Sequence, residues 1–207
     1  MGLPALPPLA VVTPTRTAWH RVMREVLEAE QSAALGTIRL GADVDGVHTR
    51  WFPGPDGEQR LRLHGASLVR ETADGATVTA LPDVDDDAAA ALLAWYLLGA
   101  EVLAALPVTA PDTREETVLW PEHADLATTV QTPHGGLNLG FSPGDEFSEE
   151  PYVYAGPWEQ RSGAFWNAPF GAIRTYGEIA AAADPAAAAS EFLATARAAH
   201  ATDPLAG

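Results

Sequence analysis

The segment 88–106 carries one charge, Glu101, and is otherwise almost wholly apolar. A helix that is apolar on nearly every side must be covered on nearly every side, so the rest of the chain has to supply layers around it. Asp83 to Asp87 put negative charge at its front, where the helix dipole favours it, and Pro107 stops it. No apolar run reaches the roughly 20 uninterrupted residues of a membrane span.

Two stretches are available to cover that helix. Ahead of it, Thr13-Pro14 reads as an N-cap with proline at the first helical position, and Trp19, Val22, Met23, Val26 and Leu27 fall on one helical face ending at Gly36. From Thr37 the period changes to two: TIRLGADV, VHTRWF, EQRLRLHG and ATVTALP read as strands, with Asp45-Gly46, Asp56-Gly57 and Asp74-Gly75 as hairpin turns. Behind it, ADLATTV, GLNLGF and PYVYAG read as three more strands, with a short strand at Phe165-Trp166. A helix at Thr175–Ala183 follows, and a last one begins at Asp184-Pro185. The order helix, strands, helix, strands, helix predicts an α+β fold of antiparallel sheet with three to four packed helices. We expect a mobile Pro-rich tail at 1–12 and one domain over 13–207. Its halves, about 13–107 and 117–207, are joined by a polar linker at 108–116.

Composition excludes several function classes. With no Cys there are no disulfides, thiolate metal sites or iron-sulfur clusters, and with no Lys there is neither a Schiff-base lysine nor a P-loop. Nothing points to nucleotide, PLP or haem. A net charge of -16 without a basic stripe argues against nucleic acid and anionic membranes as partners. The start MGLPALPPLA lacks a basic n-region, which predicts a soluble cytoplasmic protein.

The LWPEHADLA run, GFSPGD, PYVYAGP and the Tyr176-Gly-Glu-Ile that precedes a helix with Phe192-Leu193 resemble an uncharacterised bacterial family, domain of unknown function 5996. The resemblance covers nearly the whole chain. It departs at Ala124, where the family often has Phe, and at Ser142, where longer members tend to have Trp. It implies a one-domain arrangement in a short or divergent branch, and no activity or functional residue.

Most aromatic residues and the chemistry-bearing side chains lie between Thr117 and Tyr176. His123 and Asp125, two apart, leave the same face of an extended segment. If the chain doubles back at QTPHG, the loop with Asp145 and Glu146 returns to the same end of the sheet. Three readings stay open. His123, Asp125, Asp145 and Glu146 hold a divalent metal; or a carboxylate tunes His123 as a general base, making His123 and Asp125 catalytic; or Asp125 caps a turn and the loop carboxylates are solvated. Gly140–Gly144, GFSPG, matches the nucleophile-elbow pattern but is rejected. Pro143 has no N–H for an oxyanion hole, and a turn with positive φ at Gly144 explains it better.

Trp120, Trp158 and Trp166, with Arg161 and Asn167, are the candidate ligand-binding residues, in a pocket between the second sheet segment and the helix at 84–106. The expected function is a small-molecule-binding domain, with or without enzymatic activity. The alternative is a non-catalytic interaction module that uses exposed aromatics for a protein partner or for homo-oligomerisation.

Overall fold

In chain order the protein, a computed structural model describing residues 2–206, begins with α1 (Leu9–Val22), which runs through a π-helical stretch (Met23–Glu28) into α2 (Ala29–Leu35). Then come β1 (Leu40–Asp43), β2 (Gly46–Thr49), β3 (Phe52–Gly54), β4 (Gly57–His64), β5 (Ser67–Thr72) and β6 (Gly75–Ala80), followed by α3 (Asp86–Ala104). The second half holds β7 (Thr113–Arg114), β8 (Val118–Trp120), β9 (Asp125–Thr132), β10 (Gly135–Ser142), β11 (Tyr152–Pro157), β12 (Ala172–Thr175), α4 (Tyr176–Ala180) and α5 (Pro185–Thr202). This is an α+β fold built on one antiparallel sheet of order β12-β11-β10-β9-β8-β1-β2-β4-β5-β6, with β3 on β4 and β7 on β9. The two halves meet where Leu40 pairs with Leu119.

Glycines at the three expected turns, Gly46, Gly57 and Gly75, all have positive φ, the conformation that lets each hairpin close without a Cβ clash. Asp85 caps α3 by accepting from the Ala88 N–H. The apolar surface of α3 rests on β1, β9 and β10 and is flanked by α1 and α5, so the helices form one layer on one face of the sheet. Trp95 of α3 packs edge-on against Phe141 of β10, and Gly99 lets the Phe141 ring approach to a distance that an added Cβ would bring to 2.7 Å.

Several expectations are corrected. The helix begins at Leu9, and Pro14 lies inside it. Burial of Val12, Thr15 and Trp19 outweighs the local capping signal at Thr13. The tail is not loose: Leu3 and Leu6 pack on the core, and the Tyr176 hydroxyl donates to the Pro4 carbonyl at 2.6 Å. This segment lies beside Ala94 and Leu97 of α3, which explains why that helix can be apolar away from the sheet too. By length and mean hydropathy (19 residues, 1.5) α3 qualifies as membrane-spanning, and 56% of its apolar window is buried inside the protein. The 108–116 linker contains β7, and Arg114 donates to the Leu103 carbonyl at the end of α3. Phe165 and Trp166 form no strand; Phe165 stacks on Phe192 of α5 instead. On α5, His200 is fully buried and its Nε2 has no partner among the described residues; burial pushes its pKa below the usual histidine range.

Candidate functional site

The sheet face turned away from α3 carries the site. Alternation on β9 sends Leu126 and Val130 to the core and leaves Asp125, Ala127 and Thr129 on the outer face. Ala127 pairs with Gly140 of β10, which pairs with Tyr154 of β11. Two small residues side by side leave a trough, and the Tyr154 ring lies in it. A Cβ at Gly140 would stand 2.7 Å from the ring and from its hydroxyl oxygen. Laid across β10, the phenol donates a short hydrogen bond to Oδ2 of Asp125.

The same device recurs four residues back along β10. Gly136 makes room for the Trp158 indole, where a Cβ would meet ring atoms at 2.5 Å, and Trp158 Nε1 donates to Oδ1 of Asn138 at 3.0 Å. Thr129 Oγ1 donates to the same oxygen at 3.1 Å. The amide oxygen is thereby saturated, and among the described residues nothing accepts from Asn138 Nδ2.

Trp120, paired with Asp125, forms a half-exposed wall. Between them the turn Pro121–Ala124 is pinned from behind. Ala124, with φ 56°, is the one described non-glycine residue in the left-handed region. Its carbonyl accepts from the buried Tyr96 hydroxyl of α3 at 2.5 Å, while His20 of α1 reaches the Pro121 and Glu122 carbonyls at 2.9 and 3.1 Å. Strain held by packed neighbours in this way is characteristic of sites where side-chain position matters. The result is a hollow of about 360 Å³ whose floor is Asp125, Ala127, Thr129, Asn138 and Tyr154, rimmed by Trp120, Glu115, Glu116, Glu122 and His123.

Asp125 is 6% exposed. Burial raises its carboxyl pKa; the Tyr154 hydrogen bond and the His123 imidazole oppose that rise, and Glu122 adds to it. Burial and the neighbouring Asp125 hold the Tyr154 phenol well above its ordinary value, so it stays a neutral donor. The couple is therefore a carboxylate that prefers a proton or a countercharge, fixed by a hydroxyl that does not ionise.

A larger cleft of about 680 Å³ adjoins on the other side of the turn, sharing Glu122 and His123 and bounded by Arg16 and His20 of α1. Asp145 and Glu146 line this cleft together with His123, because β9 and β10 double back through the Gln131–Gly136 pair. Its polar groups mostly tie loops: Asp145 accepts from Phe147 N, Ser148 N and the Tyr152 hydroxyl, and Arg16 donates to the Glu149 carbonyl.

The expected metal set is thus divided. His123 and Asp125 face the smaller hollow, Asp145 and Glu146 only the larger, and no group of three candidate ligands converges among the described residues. His123 sits on the turn rather than on a strand, so it and Asp125 do not leave one extended face; no hydrogen bond or ion pair joins them among the described residues. The expected pocket between the second sheet segment and α3 is filled core.

Of the expected ligand residues, Trp120 lines the site and Trp158 braces its floor. Trp166 Nε1 donates to Asp203, Arg161 donates to the His134 carbonyl, and Asn167 clamps the Ile173 backbone from both amide atoms. These three serve the chain's own loops. Sequence reasoning missed Tyr154, Asn138 and Glu115. The signal in retrospect is the pairing of small residues, Ala127 and Gly140, on adjacent strands beside a Tyr-x-Tyr.

Comparison with protein-family models, curated proteins and solved structures finds no match to this chain.

Proposed function

We propose that the chain is a small-molecule-binding domain whose ligand occupies the hollow above Asp125. The observation that carries this reading is a buried carboxylate at the bottom of a cavity of ligand size, oriented through Oδ2 by Tyr154, with no other side chain bonded to it among the described residues. Placed beside it are an aromatic wall at Trp120 and a free amide donor at Asn138, the few convergent polar groups a binding site needs. The test is a fragment screen by ligand-observed NMR, repeated on Trp120→Ala and Asp125→Asn. Fragments that bind the native protein and lose affinity in both variants are the expected result. If no fragment distinguishes the native protein from the variants, the reading is wrong.

One observation favours the interaction-module reading. Phe147 and Phe170, both exposed, pack edge-on at 5.1 Å and continue through Tyr152 toward Tyr154 as an outer aromatic band. Concentration-dependent sedimentation that disappears in Phe147→Ser would support it; a strictly monomeric native protein would remove its self-associating form.

A further inference from the structure

We propose that the ligand of this hollow is an organic ammonium ion, its charged group held between the Asp125 carboxylate and the indole of Trp120, with a hydrogen-bond acceptor elsewhere on the molecule for Nδ2 of Asn138. The proposal rests on the binding reading above and adds the ligand's chemical class.

The charges around the hollow are one-sided. Glu116 is matched by Arg39 at 3.5 Å and by Arg50. Glu115, Glu122 and Asp125 have no ion-pair partner among the described residues, and no Arg lines the space. A carboxylate taken out of water without a countercharge is unfavourable, and a cation arriving with the ligand supplies what the protein omits. A metal ion would need several carboxylate or imidazole ligands to converge, and no such cluster forms among the described residues. An aromatic wall suits an organic cation instead, because the ring face is negative and the apolar body of the ligand gains from burial. The net charge of -16 draws cations toward the whole surface.

The groups that face Asp125 set the pH response. They are Tyr154 and Tyr152 from β11, Glu122 and His123 from the turn, Glu115 and Glu116 from the chain before β8, and Tyr96 from α3. All three tyrosines are held above their ordinary values by burial, so they stay neutral donors around Asp125. Burial raises the Asp125 pKa, so an ammonium ligand must displace a proton from it at low pH. Affinity then rises with pH, by up to about tenfold per unit, until Asp125 is ionised.

The experiment is isothermal titration calorimetry of the native protein with benzylamine, cyclohexylamine and tryptamine, set against benzyl alcohol, cyclohexanol and tryptophol, from pH 4 to 8. We expect each amine to bind at least tenfold tighter than its alcohol, with the gap closing as pH falls and closing entirely in Asp125→Asn. Proton release, read on the native protein from heats in two buffers of different ionisation enthalpy, reports the same coupling without any substitution. Alcohols that bind as tightly as the amines would overturn the ammonium class while leaving the pocket intact. If neither amines nor alcohols bind, while other fragments occupy the hollow, the class again falls; if nothing at all binds, the underlying reading falls with it.

Discussion

Replacing Gly140 with Ala tests whether the Tyr154–Asp125 couple depends on a missing side chain. The added Cβ would lie 2.7 Å from the Tyr154 Cε1, Cζ and Oη atoms. Carbon atoms pack at about 3.5–4.0 Å, so the ring must lift by about 1 Å, and the phenol loses its bond to Asp125. A hydrogen bond to a charged group contributes about 1.5–3 kcal/mol. Gly140 has no positive φ, so alanine adopts its backbone freely and regains roughly 0.5–1 kcal/mol of chain entropy. The net cost is about 1–2 kcal/mol, a fall in Tm of roughly 2–8 °C for a chain of this length. The assay is equilibrium urea unfolding of Gly140→Ala, Tyr154→Ala and the double variant. Without the Tyr154 ring the alanine has nothing to strike and should stabilise by its entropy term alone. If Gly140→Ala costs the same in both backgrounds, the trough argument is wrong.

Four further outcomes follow from the same geometry. Tyr154→Phe should cost about 1.5–3 kcal/mol at neutral pH and less in acid, because the donor stabilises the ionised carboxylate; urea midpoints at pH 7 and 4 check this. Asp125→Asn should be more stable than the native protein. The folded carboxyl pKa is raised, so the native penalty is absent below the unfolded value and grows as pH climbs to the folded one, and the gap in Tm should widen over that window. His200→Leu should flatten the acid side of the stability profile. The folded imidazole pKa is depressed, so the native protein loses stability as pH drops below the ordinary 6.5, a slope that unfolding midpoints at pH 8 and 5 would show gone in the variant. Leu3→Ala with Leu6→Ala should lower stability by about 2 kcal/mol through lost packing, and an unchanged Tm would mean the N-terminal segment does not seat on the core.

Local turn chemistry was legible in the sequence. Asp-Gly pairs marked the hairpins around β2, β4 and β6, and the positive φ expected at Gly144 is there at 95°. GFS nevertheless completes β10, and among the described residues no turn hydrogen bond closes over Pro143-Gly144: Asp145 N donates forward to the Ser148 carbonyl. The apolar segment 88–106 announced α3, and Asp83 to Asp87 its acidic start, within which Asp85 proves to be the cap. What escaped was set by long-range pairing. β7 and β8 exist because β9 offers them an edge, and β5 lacks the strict alternation that betrays a half-buried strand, every residue being partly covered. The site follows the same division. Asp125 and Trp120 stood out by type, but Tyr154 reaches Asp125 only through the register Ala127, Gly140, Tyr154 across three strands, which no spacing along the chain encodes. Arg161, Trp166 and Asn167 looked like pocket residues because loop residues that tie backbone together use the same polar and aromatic groups that ligands need.

The bond from Tyr176 to the Pro4 carbonyl spans 172 residues. At ribosomal speeds of about 5–20 residues per second, the first segment waits roughly 10–35 s for the tyrosine that anchors it. For the later part of that interval, from the completion of α3 at Ala104 to Tyr176, an apolar rod exists with its cover still adrift. Completion of this fold is therefore a late event in biogenesis, since the N-terminal segment is anchored only once α4 has begun.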